Sequence, residues 1–425
     1  MKKSFAPAVM AVGGLAYVIA VTQRSSMGVA AIDATERFHT NAEQLSMLAV
    51  AQLVIYALMQ VPVGILLDRF GPRVLLSLGA VSMALGQAAV AFATGLELAV
   101  VGRMLVGFGD AFTFISMIRL INGWYKGSIA SKLQQWMGNG GQIGQILSAI
   151  PFAYLLHQTN WQSSFLTLAS VSGVLAVAVF FVVADDRDHT SVHKPASFRT
   201  ALSNLREQAK RPTTKMAFWI HFSTMSSSSM FLLLWGVPFL VTAQGLDKSV
   251  ALGLLSSFVV LGFVAGVVYA EVCGRLPQLR HMVLVIMIWS ILISWGIMLA
   301  WPGRAPFWSL VLMVFCLGAA GPSSMIAFDY SKQFTPREKL GATNGFINIG
   351  GFSATFTMMF LIGLVLDGYY LLVGRVNGQQ LYSVQGFRIA FVVLLLVVGF
   401  GLYRYSVNAR LVRALPATDA LQGSE

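Results

Sequence analysis

Charge is scarce in this 425-residue chain. Asp, Glu, Lys and Arg together make up 11% of it, where a soluble domain carries about 25%. That shortfall excludes an ordinary water-soluble globule. Hydrophobic residues, at 56% of the chain with a mean hydropathy of +0.71, take the place of the missing charge. Cysteine is nearly absent: Cys273 falls at the end of an apolar segment and Cys316 inside one, which argues against a disulfide framework or a thiolate metal site. The sequence has no nucleotide-binding P-loop, metal-ligand cluster or catalytic-triad pattern, so we expect no enzyme activity, no catalytic residue, no metal and no cofactor. The glycine-rich stretches GGLAYV, GNGG and NIGG lie within apolar segments and read as helix packing, not phosphate loops. Long polar insertions are also missing, apart from residues 184–215. That disfavours a receptor or scaffold built around a soluble sensing domain.

What is present is a succession of apolar stretches, each near the 20 residues needed to cross a hydrocarbon core about 30 Å thick. We place twelve spans at approximately 8–31, 44–67, 73–94, 98–119, 132–157, 161–184, 214–243, 249–271, 281–302, 306–330, 340–366 and 385–404. The fold class expected is therefore an all-α polytopic membrane protein. The opening MKK and apolar run reads as the first span in preference to a cleaved signal peptide. With the N-terminus inside, 22 of the 29 Lys and Arg fall in cytoplasmic segments. This positive-inside bias places both termini in the cytoplasm and explains the net charge of +12 by topology and anionic lipid contact, with no need for nucleic acid. Short loops suggest a bacterial inner membrane, and a monomer is expected.

The polar segment 184–215 divides six spans from six. We expect an N-terminal bundle over 1–184, a cytoplasmic linker over 185–213 and a C-terminal bundle with tail over 214–425. Within the linker, SFRTALSNLREQAKR fits either an amphipathic surface helix or an unstructured connection. The halves echo each other. Gly107 pairs with Gly318, and Gly140 and Gly141 with Gly350 and Gly351, at offsets of 211 and 210. Weak internal symmetry of this kind suggests duplicated halves around a central site, as in many secondary transporters.

Residues 64–76, GILLDRFGPRVLL, carry Gly64, Asp68, Arg69, Gly71 and Arg73. This stretch resembles the signature G-x-L-x-D-R-x-G-R-[KR]-x-x-L of the major facilitator superfamily, with Pro72 in place of one basic residue. Physically, Gly64 allows close helix approach, Gly71 a tight turn, and Asp68 can accept hydrogen bonds from a helix N-terminus. The resemblance implies two pseudo-symmetric six-helix bundles, alternating access, helices 1, 4, 7 and 10 around a central cavity, and a cytoplasmic latch formed by these five residues.

Span 1 contains Arg24 among Thr22, Gln23, Ser25 and Ser26. An ionised side chain within a span is costly, faces a cavity or a partner, and marks function. Arginine offers a planar fork for carboxylate or phosphate at any working pH. On span 4, Arg103 and Asp110 are seven residues apart, on nearly one helix face. Burial favours a neutral carboxyl and a neighbouring arginine a charged one, so an acid here can load and release a proton. An Arg in helix 1, and in helix 4 an Arg followed seven residues later by an acid, resemble the anion:cation symporter branch of the superfamily. That branch carries organic acids, sugar acids and sugar phosphates. Here Gln23 stands where some members have an acid.

The expectation is proton-coupled symport of a small organic anion. Arg24, Gln23, Tyr17, Gln52, Tyr56 and Ser227 are the substrate-binding candidates, and Asp110 and Arg103 the proton-coupling ones. Two plainer readings stand beside it: Arg103 bracing helix 1, and Arg24 merely neutralising Asp110. The competing function is a proton-coupled exporter of drugs or metabolites, to which Phe112, Phe114, Trp136 and Trp235 would offer aromatic walls. His221 reads as a packing histidine, and the amides of span 5 as interhelical glue.

Overall fold

The computed structural model describes residues 5–125, 127–185, 198–335, 339–373 and 383–414. Among them every regular element is helical. Helix α1 (Ala6–Val29) opens the chain, followed by the short α2 (Ala31–Phe38). Next, α3 (Ala42–Phe92) joins two expected spans across a kink at Gly71, whose φ of 75° and ψ of 165° break the helical path. Then come α4 (Leu96–Trp124), α5 (Gly127–Leu147), α6 (Ala153–Gln158) and α7 (Trp161–Val182).

The second half runs through α8 (Phe198–Lys210), α9 (Pro212–Met230), α10 (Gly236–Pro238), α11 (Lys248–Arg275), α12 (Arg280–Ala300) and α13 (Phe307–Ser323). It ends with α14 (Ile326–Phe334), α15 (Leu340–Val373), α16 (Val384–Ala390) and α17 (Val392–Arg413).

Eleven helical stretches among the described residues are long and apolar enough to cross a membrane. The remaining expected span, the fifth (132–157), corresponds to α5 and α6. Gln134, Asn139, Gln142 and Gln145 lower its hydropathy, and a π-helical turn, Ser148–Phe152, interrupts it at Pro151. Proline removes a backbone donor, and a wider turn accommodates the loss. The same device recurs after α9, where π-helical turns Phe231–Trp235 and Phe239–Ala243 flank Gly236–Pro238.

The chain forms two compact units. Residues 1–39 and 51–198 make the first, and 40–50 with 199–425 make the second. Residues 40–50 belong to the second because Asp367 of α15 accepts hydrogen bonds from the backbone N–H of Ala42 (3.1 Å) and Glu43 (2.7 Å).

Inside the first unit, an apolar core gathers Val9, Tyr17, Leu76, Met117, Leu120 and Val179. A Cβ on Gly107 of α4 would strike the backbone of Gln52 on α3, so glycine there lets two helices touch. Inside the second unit Gly318 of α13 meets the backbone of Phe258 on α11 in the same manner. The 211-residue echo thus marks equivalent close approaches within the two units. Helix α8, which the sequence left open, is formed. Its Gln208 is buried and accepts from the Thr343 hydroxyl (3.3 Å), and Glu207 pairs with Lys339 at 2.6 Å, so one face docks on the start of α15.

Candidate functional site

The polar band of α1 resolves into three directions. Arg24 meets Asp110 of α4 through two parallel bonds, Nε to Oδ2 at 2.6 Å and Nη2 to Oδ1 at 2.8 Å. The Asp110 side chain is fully buried, and Arg24 keeps 13% of its side-chain surface exposed. A bidentate fork of this kind is the strongest arrangement an arginine and a carboxylate can adopt. The guanidinium lies 4.7 Å from the centre of the Tyr56 ring on α3, where the π face favours a cation.

Gln23, one residue earlier, points about 100° away around the helix. Its amide donates to the Leu168 carbonyl at 3.3 Å and to the Ser172 hydroxyl of α7. In this arrangement the Gln23 amide ties α1 to α7, a different direction from that of Arg24. Thr22 turns a third way and donates to the carbonyls of Val18 (2.9 Å) and Gly144 (3.0 Å).

Arg103 does not touch Asp110 with a hydrogen bond. Its Nη1 donates to the Gln23 carbonyl (3.3 Å) and to the Ser26 hydroxyl (3.4 Å), and its Nη2 to the Arg24 carbonyl (3.1 Å) and the Gln52 side-chain oxygen. Seven residues bring Arg103 and Asp110 to one face of α4, as expected. One reaches the backbone of α1 and the other its side chain. Gly107 lies between them on that face, and its lack of a side chain admits α3, which presents Gln52 and Tyr56 one turn apart.

Tyr17 is buried two turns before Arg24 on the same stripe of α1, with its ring 5.7 Å from that of Phe114. Ser227 belongs to the second unit, where its hydroxyl accepts from the indole of Trp295 at 3.1 Å. Its neighbour Ser228 donates to the Leu317 carbonyl (2.7 Å). His221 is buried, with Nδ1 3.3 Å from the Ser324 carbonyl oxygen, as suits a packing histidine.

At the motif of residues 64–76, Gly71 holds the turn. A Cβ there would collide with the carboxylate of Asp185, whose Oδ1 accepts from the Arg73 backbone N–H at 2.5 Å. Arg73 stacks its guanidinium 4.6 Å from the Phe180 ring. Arg69 is exposed and lies over Phe70. Among the described residues, nothing lies within 4 Å of a Cβ at Gly64, so the close approach expected there is not seen in this arrangement. The Asp68 side chain lies outside the described residues. Asp185 escaped the sequence reading, since an acid at the end of a span looks like ordinary solvation. Its only signal was the adjacent pair Asp185–Asp186 after span 6.

The family model described as Major Facilitator Superfamily matches residues 13–359. The chain belongs to the Major Facilitator Superfamily. It is accordingly an integral membrane transporter and not an enzyme. Similar superfamily members include the hexuronate transporter of Bacillus subtilis (strain 168), 23% identical over 85% of this chain and 89% of that protein. A probable L-galactonate transporter of Escherichia coli (strain K12) is 26% identical over 59% of this chain. That match spans 57% of the relative's length. A solved bacterial homolog to the human lysosomal transporter Spinster, inward-facing and unoccupied, superimposes with a TM-score of 0.74 at 14% identity, covering 96% of this chain and 98% of that one. At that identity the likeness speaks for the superfamily fold alone.

Proposed function

We propose that this protein is a proton-coupled symporter of a small organic anion, working by alternating access in a bacterial inner membrane as a monomer, with the N-terminal end of α1 facing the cytoplasm. The observation that carries the reading is the buried, bidentate Arg24–Asp110 pair. A buried ion pair is tolerated only while both charges are matched, and removing one partner costs roughly 3–5 kcal/mol. An entering carboxylate competes with Asp110 for the same guanidinium fork. Charge stays balanced when Asp110 takes a proton as the anion takes its place. Anion and proton thereby load together, and neither binds well alone. The sugar-acid transport named for several relatives supports an organic anion as cargo.

Within this reading Arg24 clamps the anion, Asp110 carries the proton, Tyr56 holds the guanidinium, and Arg103 fixes the stretch of α1 that bears Arg24. Gly71, Arg73 and Asp185 form the latch around the α3 kink.

The test is uptake into proteoliposomes under an inward proton gradient, across carboxylates, sugar acids and organophosphates, with Arg24→Ala beside wild type. Accumulation of an anion that Arg24→Ala abolishes supports the reading. Expulsion of hydrophobic cations without anion uptake replaces it with the exporter.

A further inference from the structure

Within the first unit, α1, α4 and α5 line a half-open hollow of about 200 Å³, with Trp136 largely exposed at its edge, that neither the ion pair nor the latch uses. Met10 and Tyr17 of α1, Met117 and Ile121 of α4, and Trp136 and Met137 of α5 form most of its wall, with two glycines and two aliphatic residues completing it. Among these lining side chains the polar atoms are the Tyr17 hydroxyl and the Trp136 indole N–H.

The ion pair does not line this hollow, but both lie along the same stripes of α1 and α4. Met10, Gly14, Tyr17 and Arg24 fall at steps of four, three and seven residues, one stripe of α1. Asp110, Met117 and Ile121 repeat the pattern on α4. Seven residues rise about 10.5 Å along a helix, and side chains lean toward the helix N-terminus. Arg24 therefore leans along α1 toward Tyr17 and the cavity. Tyr17 is close enough to Arg24 and Asp110 to feel their charges, so it stands between the ion pair and the hollow.

We propose, resting on the organic-anion reading above, that the cargo is a monocarboxylate with an apolar body the size of one aromatic ring. Its carboxylate sits at Arg24 and its ring in the methionine-walled cavity. A sugar acid carries a hydroxyl on nearly every carbon, and each one held against an apolar wall without a partner weakens binding. Two polar side-chain atoms offer such a molecule few partners along this wall. An aromatic or branched aliphatic body gains in proportion to the apolar area it buries. A dry cavity of about 150 Å³ suffices for benzene. Methionine adapts to varied shapes and makes favourable sulfur–aromatic contacts.

The probes are radiolabelled 3-phenylpropionate and D-galactonate, presented to wild-type protein in proteoliposomes under an inward proton gradient. The expected result is uptake of 3-phenylpropionate at least tenfold faster than D-galactonate. Gly14→Leu fills the cavity from a position with nothing within 4 Å of its Cβ. It is expected to cut 3-phenylpropionate uptake tenfold or more at an unchanged melting temperature. Met117→Gln, which adds polar atoms to the same wall at similar volume, should lower uptake independently of bulk. Arg24-dependent uptake of D-galactonate equal to or faster than 3-phenylpropionate overturns the apolar-body assignment and leaves the organic-anion symporter standing. Uptake of 3-phenylpropionate untouched by both cavity variants also overturns it. If no carboxylate, sugar acid or organophosphate enters, the assignment falls together with the symporter.

Discussion

Arg103 of α4 donates to the carbonyl oxygen of Arg24 on α1, 3.1 Å away, while Arg24 gives its own fork to Asp110 of α4. The two arginines thus cross between the same two helices. One holds backbone and the other holds a carboxylate. Arg103 is almost wholly buried, and carbonyl dipoles and the Gln52 amide solvate its charge.

That geometry makes Arg103 a positioning residue. Lysine at this place keeps the charge but lacks the planar fork that spans two carbonyls and an amide. Arg103→Lys is expected to lower anion uptake about tenfold, chiefly through KM, because the α1 segment bearing Arg24 loses its brace. The pH dependence of uptake should keep its midpoint. A displaced midpoint would show that Arg103 acts on the proton site directly.

Asp110→Asn removes the proton carrier while preserving an oxygen that can face Arg24. Proton-driven accumulation should disappear, and exchange of internal for external anion should persist. Counterflow and gradient-driven uptake, measured on the same vesicles, separate these. Accumulation at the wild-type level would exclude Asp110 as the carrier.

The twelve apolar stretches were legible because a membrane span must satisfy its backbone internally and hide it behind apolar side chains, which leaves a long compositional trace. The Arg24, Arg103 and Asp110 set was legible for the opposite reason: charge stands out against such a background. Which neighbour each polar group meets was not legible. Gln23 and Arg24 are adjacent in sequence, yet one faces α7 and the other α4, and only the packed helices decide that. Asp185 and Asp367 look like ordinary solvated acids until the Arg73 amide and the first amides of α3 come into view. Gly64 illustrates the converse, a motif residue whose expected close approach is not seen in this arrangement.

Gly71 occupies φ 75° and ψ 165°, a region open to glycine almost alone, with the Asp185 carboxylate where a Cβ would stand. Gly71→Ala meets both obstacles. Backbone strain alone costs about 1–3 kcal/mol, so a lower melting temperature is expected, together with slowed transport. Asp185→Ala removes the collision but not the strain. The double variant should therefore recover part of the loss and not all of it, as thermal unfolding in detergent can measure.

The Lys339 ammonium hydrogen-bonds Glu207 and holds its carboxyl below the usual glutamate range. A lowered carboxylate stabilises the docked helix at pH values above its unfolded range, about 4.3, and that contribution disappears as pH falls through the lower folded value. A spin label on Ser203→Cys, an exposed position of α8, should report unchanged mobility from pH 8 to pH 5 and greater mobility in stronger acid. Because the pair is exposed, raising salt at pH 7 should loosen it modestly. Lys339→Ala should remove the acid-dependent step.

The start of α3 shows how completely a helix end can be satisfied. Asn41 and Gln44 cap each other: the Gln44 N–H donates to Asn41 Oδ1 (2.8 Å) and the Asn41 N–H to Gln44 Oε1 (3.2 Å). The two amides between them, of Ala42 and Glu43, go to the separate oxygens of Asp367. Gly363, one turn earlier on α15, leaves room for the Ala42 carbonyl to approach. A carboxylate at this end also favours the helix dipole. Asp367→Ala strands two amides and should cost roughly 1–2 kcal/mol, the range seen for loss of a cap. Asp367→Asn retains one acceptor oxygen without the charge and should fall between. Asn41→Ala removes the remaining cap. Because Asp367 and Asn41 serve the same helix end, the combined variant should not equal the sum of the two. Thermal unfolding of the four variants beside wild type checks the ranking. Equal stability of Asp367→Ala and wild type would show that water serves these amides as well as the carboxylate does.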